Sequence, residues 1–198
     1  MTSVDGAGSN SLVLGARKGL ADDLAYLRPL YPTSDWRSHA NFGELANFWL
    51  HVHSSLRSEG SEVVRIVNAY RGQEIDRMQL QQAFVPQLNS FLQHLDHHHR
   101  IEDNVYFPKF RLLDGRLIAG FDLLEADHEL IHQSLVQTVA HARELLAALS
   151  QTAGGERQAA DTFAGRIEHL LKLLQQHLGD EEELVVPALL EHGEQALL

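Results

Sequence analysis

Three pairs of side chains in this sequence have the types and spacing needed to chelate a cation: His98 with Glu102, His128 with His132, and His177 with Glu181. Each pair is four residues apart. On an α-helix such residues share one face, about 6 Å apart along the axis. Imidazole nitrogen and carboxylate oxygen together suit iron, manganese or zinc. A lone His-x3-Glu pair is common on protein surfaces and means little. These three sit within apolar stripes instead. One stripe runs Leu88, Phe91, Leu92, Leu95, then His98 and Glu102, then Val105 and Tyr106. Another runs Ile167, Leu170, Leu171, Leu174, then His177 and Glu181, then Leu184 and Val185. A third runs Ile118, Phe121, Leu124, His128, His132, Leu135, Val139, and a fourth Phe42, Leu45, Trp49, His53, Leu56.

Burying an unpaired charge costs several kcal/mol, the order of a whole domain's stability. Lys or Arg on the same stripes could compensate, but none stands near these positions. A shared divalent or trivalent cation compensates directly. His94, one turn before His98, reads as a partner of a ligand rather than a ligand. His132 reads as a ligand or as a hydrogen-bonding group inside the site. His51 points away from His53, and His39, His97, His99, His141, His169 and His192 are most simply solvated. Tyr106 reads as core packing.

The elements that must position these groups are helices. The stripes have spacings of three and four, and no sustained alternation marks a strand. The periodicity predicts helices over about Trp36–Tyr70, with Gly60 as a break, and Ile75–Val105, with Pro86 as a kink. Two more are expected over Arg116–Leu149 and Glu156–Val185. Arg71-Gly72, Asp114-Gly115 and Gly154-Gly155 are the turns between them. The midpoints between successive histidines His53, His98, His128 and His177 all fall on or near these turns. An up-down-up-down four-helix bundle would therefore bring the four to one level. The second and fourth helices also echo each other as His-x3-Glu-[Asp/Glu]-x4-Pro: His98, Glu102, Asp103, Pro108 and His177, Glu181, Glu182, Pro187. Proline is expected to end or kink each helix just past its carboxylate. Such an echo suits two metals bridged by two carboxylates.

The fold class is thus all-α, with a leader over residues 1–35, a bundle over 36–192 and a tail over 193–198. Residues 1–11 are expected to be disordered, and Leu12 to Leu30 to form a short accessory helix. The composition narrows the function classes. A net charge of −11 over 198 residues argues against nucleic acid and anionic membrane as partners. No apolar run is long enough to span a bilayer, and the first residues lack a secretory signal pattern, so a cytoplasmic protein is expected. With no cysteine, disulfides, iron–sulfur clusters and thiolate zinc sites drop out. The 13 histidines are dispersed, unlike an affinity tag.

At these residues the sequence resembles the hemerythrin-like family, also called HHE cation-binding domains. The resemblance covers residues 36–190. It rests on the segment His53-Ser54-Ser55-Leu56-Arg57, the two His-x3-Glu motifs, and Asp127-His128 with His132. It implies two iron ions (Fe2+/Fe3+), oxo- or hydroxo-bridged, inside the bundle. His53 and His98 would hold one, His128, His132 and His177 the other, with Glu102 and Glu181 bridging. Manganese or zinc would also suit the donors. Oxygen-carrying members have one more residue before the last bridging acid, which would select Glu182. Glu181 fits the stripe and the internal echo better.

Three functions follow as expectations. The first is a protein that binds or senses dioxygen, nitric oxide, peroxide or iron. The second is a di-iron redox enzyme, such as one that decomposes peroxide. The third is iron storage or a structural metal clip. An oligomer is compatible with the sequence, which indicates no particular partner protein.

Overall fold

The structure is a computed structural model that describes residues 12–151 and 154–197. It is an all-α four-helix bundle with an N-terminal accessory segment. A 3-10 turn, Thr33–Ser38, precedes helix α1, Glu44–Arg71. Helix α2, Arg77–Ile101, passes into a π-turn, Glu102–Tyr106, and then into α3, Phe107–Leu113. A 3-10 turn, Gly115–Leu117, opens onto α4, Ile118–Leu149. Helix α5, Glu156–His192, is the longest, and a 3-10 turn, Glu194–Leu197, follows it.

The three expected turns all appear, each with local chemistry. After α1, Gln73 takes a positive φ of 63° and the Glu74 amide donates to the Ala69 carbonyl at 2.8 Å. Asp76 and Gln79 then form a reciprocal capping box: the Asp76 carboxylate accepts from the Gln79 amide at 2.9 Å and the Gln79 side chain accepts from the Asp76 amide at 2.8 Å. Asp114 accepts from the Arg116 amide at 2.9 Å before α4. Gly154 and Gly155, with φ of 83° and 105°, make the last turn in a region that L side chains rarely adopt.

Several boundaries differ from expectation. The first helix begins at Glu44, and Trp36 belongs instead to the preceding 3-10 turn. Gly60 is not a break: α1 runs through it. A Cβ there would collide with Leu171 and come 3.2 Å from the Phe91 ring, so the glycine allows a close approach. Pro86 and Pro187 are accommodated inside helices. Beyond Pro187, α5 continues because its last turns are buried on all sides, Leu184 through Leu190. That burial outweighs the one backbone hydrogen bond proline removes.

Residues 12–31 are not an accessory helix. They form separate turns, with Arg17 donating to Val13, Ala25 to Ala21 and Tyr31 to Leu27 through the backbone. Gly15 and Gly19, at φ of 84° and 145°, interrupt any helical run. The disorder expected for residues 1–11 lies outside the described residues.

By packing, the chain divides into two compact units. One comprises the described residues up to His51, Ile101–Glu129 and those from Gln175 onward. Its core joins Leu20, Ala25 and Leu27 of the leader to Trp49, Phe121 and Leu189. The other comprises Val52–Arg100 and Leu130–Leu174. Phe84 and Phe163 meet edge to face in it, with ring centroids 4.9 Å apart.

Candidate metal centre

The π-turn sets the site on the second helical rod. The Phe107 amide bonds back to the Glu102 carbonyl, five residues earlier, so one extra residue enters the turn. The sequence stripe placed Val105 and Tyr106 inside after Glu102. With the extra residue, Phe107 and Phe110 are fully buried and Val105 is 44% exposed. Glu102 itself is buried, and Asp103 faces His128.

Two groups of potential ligands stand out among the described residues. His53, His98, Glu102 and Glu181 form one, and His99, His128 and His177 the other. Within each group, one ligand atom per residue lies within 4.8 Å of every other. His53 and His98 meet edge to face with ring centroids 5.1 Å apart. The His128 and His177 Nε2 atoms are 3.0 Å apart. The carboxylates lie beside these nitrogens: Glu181 Oε2 is 3.3 Å from His177 Nε2, and Glu102 Oε2 is 3.6 Å from His128 Nε2.

The donor set fits a metal. Imidazoles bound to one ion at about 2.1 Å, at a right angle, would hold their nitrogens about 3 Å apart. That is the separation between His128 and His177. Their Nδ1 atoms are occupied elsewhere. His128 Nδ1 lies 2.7 Å from Asp103 Oδ1, and His177 Nδ1 lies 3.4 Å from Asp127 Oδ2. An aspartate behind an imidazole keeps the Nδ1 proton in place and leaves Nε2 for the ion. Trp49 Nε1 donates to Glu181 Oε1 at 2.6 Å, which orients that carboxylate.

The electrostatics are those of a centre that holds protons where cations would go. Burial pushes the Glu102 carboxyl well above the carboxylate range, and the nearby Glu181 charge pushes it further. Burial disfavours a charged His177, but hydrogen bonds to Asp127 and Glu181 outweigh it and raise its pKa to about 9. His128 is lowered, chiefly by burial, against the pull of Asp103. Asp127 is held low despite burial by its bonds to His177 and Arg17. A cation held by Glu102 and His177 would displace their protons.

Of the seven expected site residues, His53, His98, Glu102, His128, His177 and Glu181 fall in the two groups. His132 does not. Its side chain is 52% exposed and its Nδ1 is 4.0 Å from Asp96. The buried positions of α4 run Leu124, Asp127, His128, Ile131 and Ser134, so the stripe passes through Ile131. His99, read as solvated, is buried and takes a place beside His128 and His177. It follows Leu92 and Leu95 at spacings of seven and four, a signal as good as that of His98. Two adjacent histidines straddled the stripe, and both reach the groups. Glu181 belongs to a group whereas Glu182 does not. His94 pairs with Glu59 at 3.0 Å, outside both groups.

A four-helix fold carrying two buried clusters of histidine and glutamate defines a non-haem protein built to hold a metal pair. Residues 44–189 match the hemerythrin family, described as the hemerythrin HHE cation binding domain. The chain belongs to this family. No curated protein and no solved structure matches it. Among the described residues, no helix is long and apolar enough to cross a membrane.

Proposed function

We propose that the two groups hold a pair of iron ions and that the protein uses them to bind or sense a small oxidising ligand: dioxygen, nitric oxide or peroxide. His53 and His98 would serve one ion and His99, His128 and His177 the other, with Glu102 and Glu181 shared. The observation that carries this reading is the convergence of the His128 and His177 Nε2 atoms to 3.0 Å with a glutamate oxygen beside each. Nitrogen-rich sites with bridging carboxylates suit iron in both its common oxidation states. Bound there, an iron pair supplies reversible one-electron chemistry to a small ligand.

The protein's own residues do the rest. Asp103 and Asp127 keep the Nδ1 protons on the histidines. Trp49 holds Glu181 by its indole N–H. Phe107, stacked on His128 with centroids 5.4 Å apart, helps to exclude water from that side. Metal analysis of the purified protein, combined with absorption spectra recorded with and without oxygen, tests the reading. Two irons per chain and a visible charge-transfer band that responds to oxygen are expected. A colourless protein holding one zinc would overturn it.

A further inference from the structure

Arg17 lies in the leader, outside the matched residues 44–189, yet it is buried against α4 and α5. Its guanidinium is a fork with two acidic partners. Nη1 donates to Asp127 Oδ1 at 2.9 Å, Nη2 donates to Asp127 Oδ2, and Nε donates to Asp180 Oδ2 at 2.7 Å. Nη1 also donates to the Leu12 carbonyl at 2.9 Å, and the Arg17 carbonyl accepts from the Gln176 side chain at 2.6 Å. The side chains of Arg17, Asp127 and Asp180 are 1%, 2% and 6% exposed. Asp127 is the carboxylate that faces His177 Nδ1.

We propose that Arg17 is a positioning residue for the metal centre: by gripping both oxygens of Asp127 it fixes the carboxylate plane against His177, and so keeps His177 Nε2 turned toward the cation. This rests on the metal-pair reading. A bidentate arginine fixes orientation as well as charge. The His177–Asp127 contact, at 3.4 Å, is too long to hold the carboxylate by itself. Asp180, beside Asp127 and also buried, would repel it without a cation between them. Arg17 therefore ties the leader to the metal-binding apparatus. The leader has a second anchor suited to serve as a control: Arg28 donates to Glu183 Oε2 at 2.7 Å and touches none of the candidate ligands.

The test compares the full-length protein with its Arg17→Gln and Arg28→Gln variants. Ferrous iron is titrated anaerobically against a competing chelator, and the absorption spectrum is then recorded in air. Loss of a group that orients a metal-ligating histidine lowers affinity roughly 10–100-fold. That loss, with an altered spectrum, is expected for Arg17→Gln, and wild-type affinity for Arg28→Gln. If Arg17→Gln does not fold, Arg17→Met with Asp180→Asn removes one buried anion along with the cation, and the same loss is expected. Wild-type affinity and spectrum in either Arg17 variant would overturn the proposal. Equal losses in the Arg17 and Arg28 variants would overturn it too, since the leader would then be only a clamp on the fold. A wild-type protein that takes up no iron would instead overturn the metal-pair reading beneath it.

Discussion

One step along a helix separates His98 from His99 and decides which group of potential ligands each joins. They are adjacent in sequence, 100° apart on the helix, and each belongs to a different ligand group. His132 is the contrasting case, with ligand-like spacing from His128 but a side chain in water. His132→Ala is therefore expected to change stability by less than about 0.5 kcal/mol, as at other exposed positions. It should also leave metal content unchanged. His99→Ala should lower metal content while helix content, read by circular dichroism, stays. Equal metal loss in both would contradict the grouping. His177 predicts a pH dependence. Its pKa in the metal-free fold is about 9, against about 6.5 for an unperturbed imidazole. The folded state holds the proton more tightly, so the stabilisation is fully present below about pH 6.5 and is lost as pH rises through about 9. The raised Glu102 acts in the same sense. Metal-free protein should lose stability over this interval, by on the order of 3 kcal/mol. Metal-loaded protein should show a flat profile, measured by thermal melts at each pH. Six of the candidate ligands were legible because polar groups on an apolar stripe need compensation. His99 was not, because a stripe alone does not choose between neighbours.

At the scale of elements, one rod departs from simple helical periodicity and another helix carries an internal glycine, and both features serve packing. The π-turn at Glu102–Tyr106 lets a buried carboxylate and the buried Phe107 and Phe110 occupy the same side of one rod. Its signature in the sequence is weak, because the choice between i→i+4 and i→i+5 bonding depends on what the neighbouring elements can receive. Gly60 reads locally as a helix breaker, yet it marks a close approach of α1 to Leu171 and Phe91. Gly60→Ala sets a gain in helix propensity of about 1 kcal/mol against overpacking of about 1–3 kcal/mol. The Phe91 ring has little room to move, so the variant should be less stable by about 1 kcal/mol. A lower denaturation midpoint with an unchanged slope would show this, and a raised midpoint would refute the close-packing account.

For the whole molecule, metal binding would be linked to folding. A cation that binds only the folded state at about 100 times its dissociation constant adds about 2.7 kcal/mol. For a chain of this size that corresponds to roughly 5–10 °C in melting temperature. Calorimetry of metal-loaded and chelator-treated protein measures the shift directly. A difference below one degree would mean that the histidine and glutamate clusters do not take up the metal as a folded unit. The net charge of −11 also favours attraction of cations over anionic polymers.

Helical class, the three interhelical turns, the bundle topology and most of the candidate ligands can be read from the order of residues. Those follow from hydrophobic period, glycine and capping chemistry, and the cost of burying charge, all readable within a few turns of chain. The reach of Arg17 to Asp127 and Asp180, partners 110 and 163 residues away, comes from packing alone. Packing also brings Trp49 to Glu181, forms the π-turn and seats His99 rather than His132 among the potential ligands. Each depends on which side chains the packing brings face to face, and such pairings at long range leave no local pattern of spacing.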